Sequence, residues 1–300
     1  MTAPQSTNEH LQKLINDAYG VISMYVTPKA TLRALYSGGK DSSVVAHLAS
    51  YHPSFKGVAH ITTKTGPASW KHSQRVMALA EKNKWHCLTA EPATTMPMIV
   101  AKYGFPGPAA HTSVYIWLKE RPIRQLAKDA RKHDKRQLVI WLSGIRSAES
   151  AERAKNATER TVVTRSEWWI NPIIDWTDDD VRLYVNEFGL EVANWHHSVD
   201  CFCGAYATKP ERDLIAGADT DQFEYIQLLE QIAHAARNIQ LLEVRIGMRK
   251  EGDVIPEEYC TWGHGLSSGK IAKMNGPTIC NKCGVTDGIL DNLRLQKQAS

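Results

Sequence analysis

Ser37-Gly38-Gly39-Lys40-Asp41-Ser42 gathers two residues without side chains, an ammonium, a carboxylate and two hydroxyls into six positions. Glycines expose backbone N–H groups to close approach, and those donors, a helix start and a lysine all favour an anion, phosphate above all. An ordinary capped turn would use Ser37 or Asp41 but has no need of the lysine and both serines. A second constellation runs Gly144, Arg146, Glu149, Ser150, Arg153 directly after an apolar run. An arginine there can grip phosphate or sulfate with two prongs. On the plainer reading, Glu149 and Arg153 are an i, i+4 pair on a solvated helix. The third constellation is thiol-based. Five of the six cysteines, Cys201, Cys203, Cys260, Cys280 and Cys283, fall in the last third. Cys-Phe-Cys and Cys-Asn-Lys-Cys supply four thiolates, Cys201, Cys203, Cys280 and Cys283, suited to a tetrahedral metal such as Zn²⁺ or to an iron–sulfur cluster. Cys260 is either a replacement ligand or a spare thiol, and His196, His197 and His264 stay outside the ligand set.

These groups need a scaffold that brings them to one edge. Leu32 to Tyr36 reads as a strand, and Val44, Val45 and Leu48 follow at the spacing of a helix face, so the glycine loop is a strand-to-helix turn. Residues 57–63, 85–89 and 137–144 read as further strands, with a helix over 69–82 between the first two. Strand and helix alternation predicts a parallel sheet covered by helices, with ligands at the carboxyl ends of its strands. Arg146 then belongs to the same edge as the glycine loop. Residues 177–189 read as a helix with Thr177 as N-cap and acids in its first turn. The predicted organisation is a nucleotide-binding domain over 20–193 and a small helical, cysteine-rich metal region over 194–300.

Composition narrows the setting. A 300-residue chain with 43% hydrophobic residues can bury a full core, and its net charge of +4 comes from interleaved acids and bases. No apolar run is long enough for a membrane helix and the first residues lack a signal-peptide pattern, so a cytoplasmic, membrane-free protein is expected. Paired cysteines in that setting point to metal binding more than to disulfides. The tryptophans lie mostly in apolar, strand-like segments, where core packing outweighs base stacking.

The glycine loop resembles the PP-loop of the ATP pyrophosphatase superfamily. Gly144-Ile145-Arg146 with Glu149-Ser150, the stretch Asn171 to Val185, and Cys201-Phe202-Cys203-Gly204 together resemble the phosphoadenosine phosphosulfate (PAPS) reductase family, in an archaeal and phage-type subgroup. The resemblance implies an adenine nucleotide alpha hydrolase-like, Rossmann-like α/β fold. It further implies an adenine nucleotide, ATP or PAPS, held by Ser37, Gly38, Gly39, Lys40, Ser42, Gly144, Arg146, Glu149 and Ser150. Lys40, Asp41 and Arg146 are the expected catalytic residues, with Asp41 binding Mg²⁺ or orienting the loop. Two departures matter: the reductases' C-terminal Glu-Cys-Gly-x-His segment is absent, and Lys40 stands where their loop usually lacks a lysine. Lysine suits the β and γ phosphates of intact ATP. ATP cleavage between the α and β phosphates in support of sulfur transfer or reduction is therefore the leading expectation. A sulfite-releasing reductase and a non-catalytic nucleotide-sensing or nucleic-acid-associated module are the alternatives. Close relatives with a 4Fe-4S cluster make that cofactor the counterpart to Zn²⁺. The sulfur or electron donor is unspecified, and a nucleic acid is one acceptor class among several.

Overall fold

The computed structural model describes residues 2–27, 30–132, 137–149, 161–163, 167–193, 201–205, 207 and 209–264. Two compact units alternate along the chain: one comprises Met1–Ile61, Ser73–Ala90 and Ile123–Trp195, the other Thr62–His72, Glu91–Pro122 and His196 onward.

The first unit is built on a six-stranded sheet. Its strands are β1 (Ala30–Leu35), β2 (Phe55–Ile61), β3 (Cys87–Ala90), β4 (Leu138–Leu142), β5 (Thr161–Val163) and β6 (Glu167–Ile170), in the order β3-β2-β1-β4-β6-β5. Five strands run parallel; the edge strand β5 runs antiparallel to β6. The expected parallel α/β sheet is therefore present, with one short reversed strand at its margin. Central β1 carries Leu32 and Ala34 fully buried beside Ile140 and Leu142 of β4, as a strand covered on both faces should. Helices α1 (Glu9–Tyr25) and α2 (Lys40–Ser50) contribute Leu11, Ile15, Ala18, Ile22, Val44, Val45 and Leu48 to the same core. The helix after β6, labelled α7 (Asp178–Glu187), opens on a capping box: Thr177 Oγ1 accepts from the Asp180 N–H at 3.2 Å, and Asp180 Oδ2 accepts from the Thr177 N–H at 2.8 Å.

In the second unit, α4 (Met96–Tyr103) and two later helices, α8 (Lys209–Ala218) and α9 (Thr220–Arg245), enclose a core of their own. The long helix α9 turns Ile226, Leu229, Ala233 and Gln240 inward. Gln240 Oε1 accepts from the Ile255 N–H at 2.8 Å, and Arg212 of α8 reaches Glu230 at 2.7 and 2.9 Å, so the buried polar ends on this face are satisfied. Among the described residues no helix is long and apolar enough to cross a membrane.

Candidate nucleotide-binding site

The carboxyl ends of β1, β4 and β6 share one edge of the first unit, and each delivers one piece of a charged cluster. After β1 the chain turns through Ser37 to Gly39 into α2. Gly38 has φ +75°, and a Cβ there would lie 2.8 Å from Val76 Cγ2 and 3.0 Å from Ala193 Cβ; both conformation and space demand glycine. Its carbonyl accepts from the Ala193 N–H at 2.8 Å. Gly39 is the N-cap of α2 and offers no side chain to the first helical amides, leaving that end suited to an anion. Ser37 and Ser42 hydroxyls lie 3.2 Å apart, and the Ser42 hydroxyl donates to the Gly39 carbonyl at 3.0 Å, which sets the width of the turn.

The β4 loop crosses this turn at close quarters. A Cβ on Gly144 would lie 2.8 Å from the Asp41 carbonyl carbon and 2.9 Å from the Ser42 nitrogen, so only glycine allows the two backbones to touch. Arg146 follows, 2% exposed. Its Nε donates to Asp41 Oδ1 at 2.6 Å, its Nη1 to the Trp176 carbonyl at 3.2 Å and its Nη2 to Asp178 Oδ1 at 2.6 Å. Lys40, also buried, donates to that same Asp178 oxygen at 2.7 Å and lies 3.6 Å from Asp41 Oδ2. One carboxylate oxygen thus receives two buried cations. Partial burial pushes the Asp178 carboxyl up, but hydrogen bonds from Lys40 and Arg146 outweigh it and hold it down to about 2.

The structure therefore brings Ser37, Gly38, Gly39, Lys40, Asp41, Ser42, Gly144 and Arg146 to one edge. Ser147, whose N–H and hydroxyl both donate to the Ile174 carbonyl, ties the β4 and β6 loops together. Glu149 closes a short 3₁₀ turn, Ser147–Glu149, and Ser150 lies outside the described residues. Asp178 is the residue that sequence reasoning missed. Three aspartates opening a helix read as a response to the helix dipole; the capping box assigns Asp180 to the helix end and leaves Asp178 to turn toward the cations.

The cysteines belong to the second unit. Cys201, Cys203 and Cys260 are all buried in its apolar core. The Phe202 N–H donates to Thr65 Oγ1 at 2.8 Å and its carbonyl accepts from Trp262 Nε1 at 3.0 Å, so the backbone between Cys201 and Cys203 is held on both sides. Burial pushes the Cys260 thiol up. His264 Nε2 lies 2.9 Å from the Phe105 carbonyl. Cys280, Cys283, His196 and His197 lie outside the described residues. Among the described residues no group of three His, Cys, Asp or Glu side chains has the arrangement of a metal site. Cys87, the one cysteine of the first two thirds, opens β3 and is half-buried, its thiol pushed up to about 11 by that burial.

Several known proteins are similar to this chain. An adenosine 5'-phosphosulfate reductase of Rhizobium tropici is 32% identical over 83 residues, 26% of this chain and 46% of that protein, so the match spans less than half of the relative's length. Among solved structures, a phosphoadenylyl-sulfate (PAPS) reductase from Candida auris in a phosphate complex aligns with a TM-score of 0.43 at 16% identity, covering 64% of this chain and 92% of that one. The U34-tRNA thiolase NcsA from Methanococcus maripaludis, solved with its [4Fe-4S] cluster, aligns with a TM-score of 0.39 at 12% identity over 75% and 80% of the two chains. The phosphoadenosine phosphosulfate reductase domain model matches residues 31–198, more than half of the sequence, and the chain belongs to that family.

Proposed function

We propose that the chain is an enzyme that binds the phosphates of an adenine nucleotide, ATP foremost, at the turn between β1 and α2 and cleaves it between the α and β phosphates. The observation that carries this reading is the shared oxygen of Asp178. Lys40 and Arg146, both buried, converge on one anionic oxygen beside an uncapped helix start, which is the environment a phosphate oxygen requires. In the reaction, an acceptor oxygen forms a bond to the α phosphorus while the bond to the bridging oxygen breaks and pyrophosphate leaves with the electron pair. Lys40 and Arg146 would stabilise the charge gathering on that leaving group. Asp41, bonded here to Arg146, holds the guanidinium in place and would offer its carboxylate to Mg²⁺. Cys201 and Cys203, with Cys280 and Cys283, offer the soft thiolate set that a 4Fe-4S cluster or Zn²⁺ takes. Such a cluster would supply sulfur or electron transfer to the activated acceptor, which the chain leaves open among nucleic acids, metabolites and proteins.

A sulfonucleotide reductase is the second reading, favoured by the R. tropici relative. Anaerobic incubation with α-labelled ATP and, separately, with adenylyl and phosphoadenylyl sulfate separates the two. Pyrophosphate release lost in Lys40→Ala supports the first; sulfite release supports the second. Nucleotide binding without any product would favour a sensing module instead.

A further inference from the structure

Helix α9 carries two apolar seams. One faces its own unit. The other runs Leu228, Ile232, Ala235, Ile239, Leu242 and, at the C-cap, Ile246, with successive steps of four, three, four, three and four residues. That is a heptad pattern with isoleucine at every a position and leucine, alanine and leucine at the d positions, the choice that favours two-stranded pairing. The seam faces outward: Leu228 is 51% exposed, Ile239 58%, Leu242 56% and Ile246 69%, while Ile232 packs partly on the unit's own core. Solvated helix faces are normally charged, and here the partition is reversed. From Gln227 to Ile246 the only Asp, Glu, Lys and Arg side chains are Glu230, Arg237, Glu243 and Arg245. The first three are engaged within the unit, Glu230 by Arg212, Arg237 by Glu257 and Glu243 by Arg249, and Arg245 is exposed at the end of the seam. Gln231 and Asn238, uncharged and exposed, flank the seam.

From these observations we infer that α9 is a pairing surface for a second copy of this chain, joined seam to seam about a twofold axis. A nucleic acid or an anionic lipid surface would call for a row of Lys and Arg, and a charged protein groove for an opposite charge. The seam offers no such row, Arg245 at its end being the one exposed Asp, Glu, Lys or Arg between Gln227 and Ile246. Its matching surface is another uncharged isoleucine and leucine seam. The helix is already ordered against its own core, so pairing does not bear the cost of folding it.

Sedimentation of the full chain over a range of concentrations tests the pairing. A reversible species of twice the chain mass is expected, and Ile239→Glu with Leu242→Glu should raise its dissociation constant by ~100-fold or more while the far-ultraviolet circular dichroism stays unchanged. Gln231→Glu with Asn238→Glu, at exposed positions that touch no core, should weaken it by like-charge repulsion should the first variant fold poorly. A wild-type monomer overturns the proposal. If that monomer melts earlier with Ile239→Glu, the face belongs to the chain's own residues beyond 264; if melting is unchanged, it has no internal occupant. A dimer indifferent to all four substitutions also overturns it and puts the contact elsewhere.

Discussion

The charged edge proposed to hold the nucleotide in the first unit and the cysteine loop of the second solve opposite problems. The first concentrates charge at low exposure and keeps it there by pairing every cation with a carboxylate. The second keeps three thiols inside an apolar core and fixes the chain between two of them with backbone hydrogen bonds. A site made of charges is sensitive to the loss of any one partner, because the others stay buried without compensation. A site made of thiols in a core responds to shape and to ligand loss.

Substitutions that separate these two behaviours sharpen the comparison. The largest effect is expected from Arg146→Ala, which strands Asp41 beside Lys40 alone; denaturant unfolding should show a loss of about 3 kcal/mol, and calorimetric titration should show no ATP binding. Gly38→Ala comes next. A Cβ in the left-handed region, pressed on Val76, should cost about 2 kcal/mol and weaken nucleotide binding with no change in metal content. In the second unit, Cys203→Ser should lower iron or zinc content measured after anaerobic purification while leaving ATP binding intact; intact metal content would remove Cys203 from the ligand set.

Two smaller effects follow. Burial lowers the His47 imidazole to about 4, where it bonds the Tyr184 hydroxyl at 2.7 Å among the rings of Tyr51, Tyr184 and Phe188. Below the ordinary value of 6.5 the unfolded chain takes up a proton that the folded chain refuses, so stability should fall as pH drops from 6.5 to about 4. His47→Gln should flatten that slope in melting experiments. Thr177→Ala, which removes the side-chain cap of α7, should cost about 1 kcal/mol and loosen nucleotide binding modestly through Asp178.

Much of the first unit was legible because its signals are local. Two glycines, a lysine and serines between an apolar strand and a helix face announce their own turn, and Arg146 follows an apolar run that has to end at the same edge. Asp178 was not legible, since Asp178, Asp179 and Asp180 are equivalent until the capping box assigns Asp180 to the helix end. Strand β5 has three residues, too few to show a period, and its reversed direction depends on pairing with β6. The outward seam of α9 is written in the sequence too, yet Leu228 and Leu229 are indistinguishable there; packing decides that Leu229 is 1% exposed and Leu228 is 51% exposed.

The oxygen shared by Lys40 and Arg146 would make anion capture an exchange instead of an addition. Asp178 is half in solvent, and an incoming ion would have to better what it displaces. Chloride brings one charge and no directed lone-pair geometry. A polyphosphate chain brings several oxygens that can occupy the guanidinium, the ammonium and the helix amides together. On the proposed reading the resident carboxylate would set an admission threshold, and a site rich in cations would stay closed to the commonest anions around it.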